Sequence, residues 1–270
     1  MLKTRVLTAL VVTAIGVSAL FGLPPDGFAL FAVVVLLALG GWEGARLAGM
    51  SGSANRIILA AILSAVGIGI FLTGPQTHII FWLVPVCVVW LGLFGWLAAP
   101  ELGKPDTTGN RLAKLTILAV ILLGAWLAVS WLQSGSPWHV LLLLVIIASA
   151  DVGAYFSGRY FGGAKLASRI SPGKTRSGAI GGLISAGILT AMVAALIPNS
   201  PFAPWQAGLL ALALALVSIG GDLFFSLLKR QAGIKDSSNL LPGHGGILDR
   251  LDSIGSGLPF FALAVVLWGH

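Results

Sequence analysis

Two carboxylates, Asp151 and Asp222, stand where water-exposed acids are not expected. Asp151 follows the run LLLLVIIASA and Asp222 follows ALALALVSIGG. A carboxylate at the middle of a bilayer costs roughly 2.5–3.5 kcal/mol on insertion scales, so such a residue faces a polar cavity and marks a working site. The plainer reading is an acid near a helix end that reaches the interface. Further along, SLLKRQAGIKDSSNLLPGHGGILDRLDS (residues 226–253) combines four basic residues, three acids, one histidine and a glycine-rich turn. Asp249 and Asp252 are three apart and would share one face of a helix. With Asp222 they could surround a hard cation, and Mg²⁺ takes one or two carboxylates and completes its shell with water and phosphate. Lys229, Arg230, Lys235 and Arg250 could neutralise further phosphate charge. Gly243, Gly245 and Gly246 flank His244 and let backbone N–H groups approach a phosphate. A solvated interhelical loop would explain the charge but not its coincidence with glycine in a chain this apolar.

A second polar stretch, DVGAYFSGRYFGGAKLASRISPGKTRSG (151–178), contains SPGKT. A phosphate-binding P-loop would need glycine where Ser168 stands, and a preceding strand. What remains is Gly173, Lys174 and Thr175 just ahead of an apolar run, where free helix N–H groups can bind an anion. Lys174 and Arg176 could equally be topology charges or headgroup contacts. His78 and His139 read as interfacial and Cys87 as packing. No Cys/His metal cluster and no GxSxG elbow is present.

The elements that must position these groups follow from composition. The 270 residues are 57% hydrophobic and 9% charged, with a mean hydropathy of +0.98. A soluble domain carries roughly 25% charged residues, so a soluble enzyme and a disordered chain are excluded. Long unbroken apolar blocks exclude a β-barrel. The expected fold is all-α: a polytopic integral membrane protein with about nine transmembrane helices in one transmembrane domain, 1–270. The spans fall near 5–22, 27–48, 56–73, 78–98, 113–132, 138–160, 178–197, 205–228 and 253–269. Breakers separate them, among them Pro24-Pro25, Gly74-Pro75 and Ser136-Pro137. Lys3 and Arg5 precede the first span as in a signal peptide, but no cleavage site follows, and it reads as a retained helix. All 16 Lys and Arg fall at the N-terminus or in alternate loops; the loops around Asp26, Gln76, Ser134 and Asn199 hold none. The positive-inside rule then makes the N-terminus cytoplasmic and puts His270 outside. The net charge of +7 belongs to those loops against anionic lipid and implies no nucleic-acid partner. Residues 1–140 form less specific spans. Residues 141–270 hold the catalytic spans, with cytoplasmic loops at 161–177 and 229–252.

The stretch from Ser226 to Asp252 resembles the signature of phosphatidate cytidylyltransferases (CDP-diacylglycerol synthases), and ADVGAYFSGRYFG with ISPGKT resembles that family's second block. Arg176 and Ser177 depart from the pattern, since family members often carry an aromatic and an acidic or amide residue there. The resemblance implies transfer of CMP from CTP to phosphatidic acid, giving CDP-diacylglycerol and pyrophosphate. It implies a multi-pass protein of the bacterial plasma (inner) membrane, surrounded by membrane lipids, with its site on the cytoplasmic side and a homodimeric state. The implied cofactor is Mg²⁺, with a second, monovalent cation as an additional candidate. Asp222 and Asp249 would bind the metal. Asp252 and Lys235 complete the expected catalytic set. Lys174, Lys229, Arg230, His244, Arg250, Asp151 and Ser171 are the expected substrate-binding residues. Two rival readings stand beside this one: a CTP-dependent enzyme acting on an isoprenoid lipid, and an ion-coupled transporter using Asp151 and Asp222.

Overall fold

The computed structural model describes residues 2–74, 78–198 and 200–269. Pro75, Gln76, Asn199 and His270, used above to place breakers and loops, lie outside the described residues. Among the described residues nine helical spans are long and apolar enough to cross a membrane. In chain order they are α1 (Leu2–Gly22), a composite second span (Pro25–Leu47), α4 (Ser53–Leu72), α5 (Ile79–Trp96), α6 (Thr108–Gly135), α7 (Pro137–Phe161), α8 (Arg176–Ala194), α9 (Pro204–Gln231) and α10 (Leu248–Trp268). The composite span joins α2 (Pro25–Ala32) to α3 (Gly40–Leu47) through a π-helical stretch, Val33–Leu39. Such a widened turn rotates the residues that follow it relative to a continuous α-helix. Here those residues include Glu43, which is fully buried.

Several helix starts are written in local chemistry. The hydroxyls of Thr107, Ser136 and Thr175 accept hydrogen bonds from Asn110, Trp138 and Gly178 N–H, so each caps its helix. Pro25, Pro137 and Pro204 occupy first-turn positions, where a missing N–H costs nothing. Both polar loops differ from the sequence expectation, the first running 162–175 rather than 161–177. Lys229 and Arg230 are still helical in α9, and α10 starts at Leu248, so the connecting loop is 232–247 rather than 229–252. Asp249, Arg250 and Asp252 therefore lie in the first turns of a helix. That helix can start early because buried carboxylates accept hydrogen bonds from the N–H groups at its start. The loop after α7 also contains strands: β1 (Lys165–Ala167) pairs antiparallel with β2 (Ser171–Thr175). The hairpin pairs backbone groups that a coil at the bundle end would leave open.

The core runs through α6, α9 and α10, where Trp126, Phe224 and Phe261 are almost wholly buried, with Trp90 of α5 against Phe224. The outer faces carry exposed Leu7, Ile57, Phe81, Leu91 and Ile184, an apolar girdle suited to lipid. Long-range hydrogen bonds define the two ends of the bundle. At one end the Gln133 side chain donates to the carbonyls of Leu20 and Leu23. At the other, Thr8 donates to the Pro242 carbonyl, Arg46 to Ser237, and Gln231 to Pro100 and Leu102. That second end gathers the start of α1 and the loops that carry the basic residues.

Candidate active site

The site is assembled by helices that approach more closely than ordinary side chains allow. A methyl group at Gly182 of α8 would sit 2.7 Å from the Ala150 carbonyl oxygen of α7, and one at Gly178 would sit 2.9 Å from that of Ala154. A methyl at Gly208 of α9 would lie 3.0 Å from the Gly187 carbonyl oxygen of α8. Next to Asp222, a methyl at Gly221 would come within 2.7 Å of the Asp252 carbonyl oxygen. Small residues permit this proximity between membrane helices. The result is that Asp151 (α7), Lys174 (β2), Asp222 (α9) and Asp252 (α10) converge from four elements.

Lys174 Nζ lies 2.6 Å from Asp222 Oδ2, both side chains about a quarter exposed. Ser226, one turn later, donates to Asp222 Oδ1 at 3.2 Å. Lys229 Nζ sits 2.8 Å from Asp249 Oδ1 and 3.9 Å from Asp252 Oδ2. The other oxygen of Asp249 accepts from Ser237 N at 2.8 Å and Gly246 N at 2.9 Å, with Ser237 Oγ 3.0 Å away. Asp222 thus keeps open accepting capacity, whereas Asp249 is held on nearly every side. Asp151 is within electrostatic reach of Lys174, Asp222 and Arg250, and Asp252 within reach of Asp222, Lys229 and Lys174.

Two cavities lie beside this cluster, the first reaching Asp151 and Lys174 and the second reaching Arg250, next to Asp249. The first, about 530 Å³, is lined by Asp151, Tyr155, Arg159, Lys174 and Thr175 together with apolar Ala150, Leu166 and Ile219. Arg159 donates to the Tyr155 hydroxyl at 2.9 Å. Tyr155 is more than half exposed, like the neighbouring Val152 and Phe156, so this cavity reaches the apolar outer face. The second, about 580 Å³, is lined by Arg5, Lys235, Asp236, Asn239, His244 and Arg250. Three cations and an imidazole face a single acid there. His244 Nδ1 is buried without a partner among the described residues, and Arg250 donates to the His244 carbonyl at 3.2 Å. The first cavity suits an anionic group on an apolar body; the second suits a soluble polyanion.

Of the expected residues, Asp222, Lys229, Asp249 and Asp252 line neither cavity but are tied to the cluster by ion pairs, whereas Arg230 and Ser171 line neither cavity and stand apart from it. Arg230 is exposed, with a 3.5 Å contact to the Ile234 carbonyl, and Ser171 pairs with Ala167 in the hairpin. The start of α8 is less open to an anion than its sequence suggests: Arg176 N donates to Ala164 and Gly178 N to Thr175. Sequence reasoning did not single out Arg5, Arg159, Ser237 or Glu43. Glu43 carried the signal that exposed Asp151 and Asp222, an acid within a long apolar block. The two arginines read only as topology charges.

Among the described residues no group of three or more His, Cys, Asp or Glu side chains is placed to hold a metal ion by itself. The donor set fits a Mg²⁺ ion that takes one or two carboxylates and shares its shell with phosphate. Lys174 and Lys229 place ammonium groups on Asp222 Oδ2 and Asp249 Oδ1, marking these oxygens as positions that accept positive charge.

Residues 3–268 match the family model described as the cytidylyltransferase family. The chain is similar to a phosphatidate cytidylyltransferase of Pseudomonas aeruginosa, at 40% identity over 99% of this chain and 97% of that protein. It is 36% identical to one of Haemophilus influenzae, over 97% of this chain and 98% of that protein. It is 37% identical to one of Brucella suis, over 94% of this chain and 89% of that protein. With the match running through all nine spans and both polar segments, the chain belongs to the cytidylyltransferase family.

Proposed function

We propose that this multi-pass membrane protein transfers CMP from CTP to phosphatidate, releasing pyrophosphate and leaving CDP-diacylglycerol in the membrane. One observation carries the reading. One cavity joins Asp151, Arg159 and Lys174, the partner of Asp222, to an apolar outer face, and a second, basic and polar, is lined by Arg250, the neighbour of Asp249. Lys174 and Arg159 would hold the lipid phosphate in the first. Arg5, Lys235, His244 and Arg250 would hold the triphosphate in the second. A phosphatidate oxygen is already anionic at neutral pH, so no strong general base is needed. It attacks the α-phosphorus, and the bond from that phosphorus to the bridging oxygen breaks, with the electron pair leaving on pyrophosphate. The protein's part is alignment for in-line displacement and neutralisation of phosphate charge. Lys229, held by Asp249 and near Asp252, is a further cation for that charge.

We assign Mg²⁺ to Asp222 and Asp249 Oδ1, the oxygens now facing lysine ammonium groups, with Asp252 supporting them. When bound, the ion would supply Lewis-acid polarisation of the phosphoryl oxygens. A monovalent cation beside it belongs to the same proposal. The bacterial origin of the relatives and the distribution of Lys and Arg support a site on the cytoplasmic side of the bacterial inner membrane. A homodimer is the proposed assembly.

The test is purified protein in detergent with labelled CTP, Mg²⁺ and phosphatidic acid, scored for lipid-soluble CMP. Product should form with wild type and fall at least about a thousandfold in Asp222→Asn, at equal membrane insertion. Full activity in that variant would defeat the assignment of Asp222. No product from the wild type would defeat the reaction.

A further inference from the structure

Glu43 is wholly buried in α3, in the half of the chain that carries little of the family signature, yet its carboxylate belongs to the catalytic end. Its Oε2 accepts from Ser237 Oγ at 2.8 Å and Leu248 N at 2.8 Å. Its Oε1 accepts from Ser238 Oγ at 2.6 Å and Ile247 N at 2.9 Å. The serines lie near the beginning of the loop between α9 and α10, and the two N–H groups open α10. One carboxylate therefore ties both ends of that loop together. Arg46, one turn on, donates to the Ser237 carbonyl at 3.0 Å.

The same Ser237 hydroxyl lies 3.0 Å from Asp249 Oδ2, and Ser237 N donates to that oxygen. Ser237 thus stands between a buried carboxylate that touches no substrate cavity and a carboxylate of the proposed site. Gly246 sits in the same knot. Any β-carbon there would collide with Ser237 Oγ and both Glu43 oxygens, while its N–H also donates to Asp249. The positive end of α10 and four donors compensate the Glu43 charge.

We infer that Glu43 is a positioning residue: through Ser237 and the start of α10 it fixes the Asp249–Lys229 pair for phosphoryl transfer. This rests on the assignment of Asp249 to the site. Two of its four donors are backbone N–H groups, which cannot turn away. Glu43→Gln must therefore aim an amide N–H at another donor or leave one unpaired.

The experiment compares Glu43→Gln, Ser237→Ala, the double variant and Asp249→Asn. Each is measured for kcat, KM for CTP and phosphatidate, and thermal stability in detergent. Glu43→Gln should lower kcat about tenfold or more, with each KM changed less than about threefold, and Ser237→Ala should lower kcat similarly. The double variant should be no worse than the poorer single variant, because both act through one link. Losses that multiply, or wild-type kcat in a folded Glu43→Gln, would overturn the inference. If Glu43→Gln does not fold, Ser237→Ala decides, since it keeps both backbone N–H bonds to Glu43 and the Ser237 N–H bond to Asp249 and removes only the hydroxyl between the two carboxylates; wild-type kcat there overturns it too. Full activity in Asp249→Asn would overturn the site assignment itself.

Discussion

At the scale of single residues, the two acids proposed for the metal are held in different ways. Among the described residues Asp222 accepts from Lys174 and Ser226 only, whereas Asp249 is braced by Lys229, Ser237 and Gly246. A carboxylate with spare lone pairs can exchange a lysine for a metal or phosphate-bound partner without losing its orientation. One braced by three residues is suited to holding its neighbours still. The basic residues divide similarly between the two cavities, and that division is testable. Arg5→Ala should raise KM for CTP about tenfold and leave KM for phosphatidate near wild type, whereas Arg159→Ala should do the reverse. The magnitude is that of one charge-assisted hydrogen bond. Steady-state kinetics in mixed micelles, varying each substrate in turn, checks it; the same KM rising in both variants would remove the two-cavity assignment. Asp222, Asp249, Lys235 and His244 were legible as candidates because charge is scarce in this chain. Arg5 and Arg159 were not, because a basic residue beside a membrane span is expected whether or not it binds anything.

At the scale of elements, the catalytic geometry depends on glycines where helices cross. The backbones of α7 and α8 touch around Gly182 and Ala150, and the next residue of α7 is Asp151. A larger residue at 182 must push α8 from α7, carrying β2 and Lys174 away from Asp151. Gly182→Val should lower thermal stability by several degrees and cut CMP transfer more than tenfold, since overpacking costs about 1–3 kcal/mol. Gly69→Ala, where an added methyl meets nothing within 4 Å, should change neither. Thermal unfolding in detergent with parallel activity assays checks both. The 36 glycines of the chain indicate close packing in general terms, but not which pairs of helices touch. Rotation about each helix axis decides that, and hydropathy carries no phase when a helix is apolar all round.

At the scale of the whole molecule, one end of the bundle gathers the basic residues and the other does not. The start of α1, the loops after α3 and α5, the β1–β2 hairpin, the loop before α10 and the helix ends beside them carry the basic residues. The opposite end includes the connection between α1 and α2, with Asp26. After Cys87→Ser, which removes the single buried thiol, a cysteine at Asp26 should react with a membrane-impermeant maleimide applied outside spheroplasts. A cysteine at Lys104 should react only after permeabilisation. Both positions are exposed. The reverse pattern would invert the orientation and place the CTP cavity on the wrong side for a cytoplasmic nucleotide.

The number of spans, their approximate limits and the side that collects the basic loops all follow from transfer energies summed along short windows, for which no partner need be known. The nine helices accordingly lie within a few residues of their expected positions. The starting point of α10 and the pairing of Lys174 with Asp222 have no such local origin. Nor does the bond between Glu43 and Ser237, 194 residues apart. These depend on how deeply each helix sits against its neighbours and which face it turns inward, and only the packed bundle settles both.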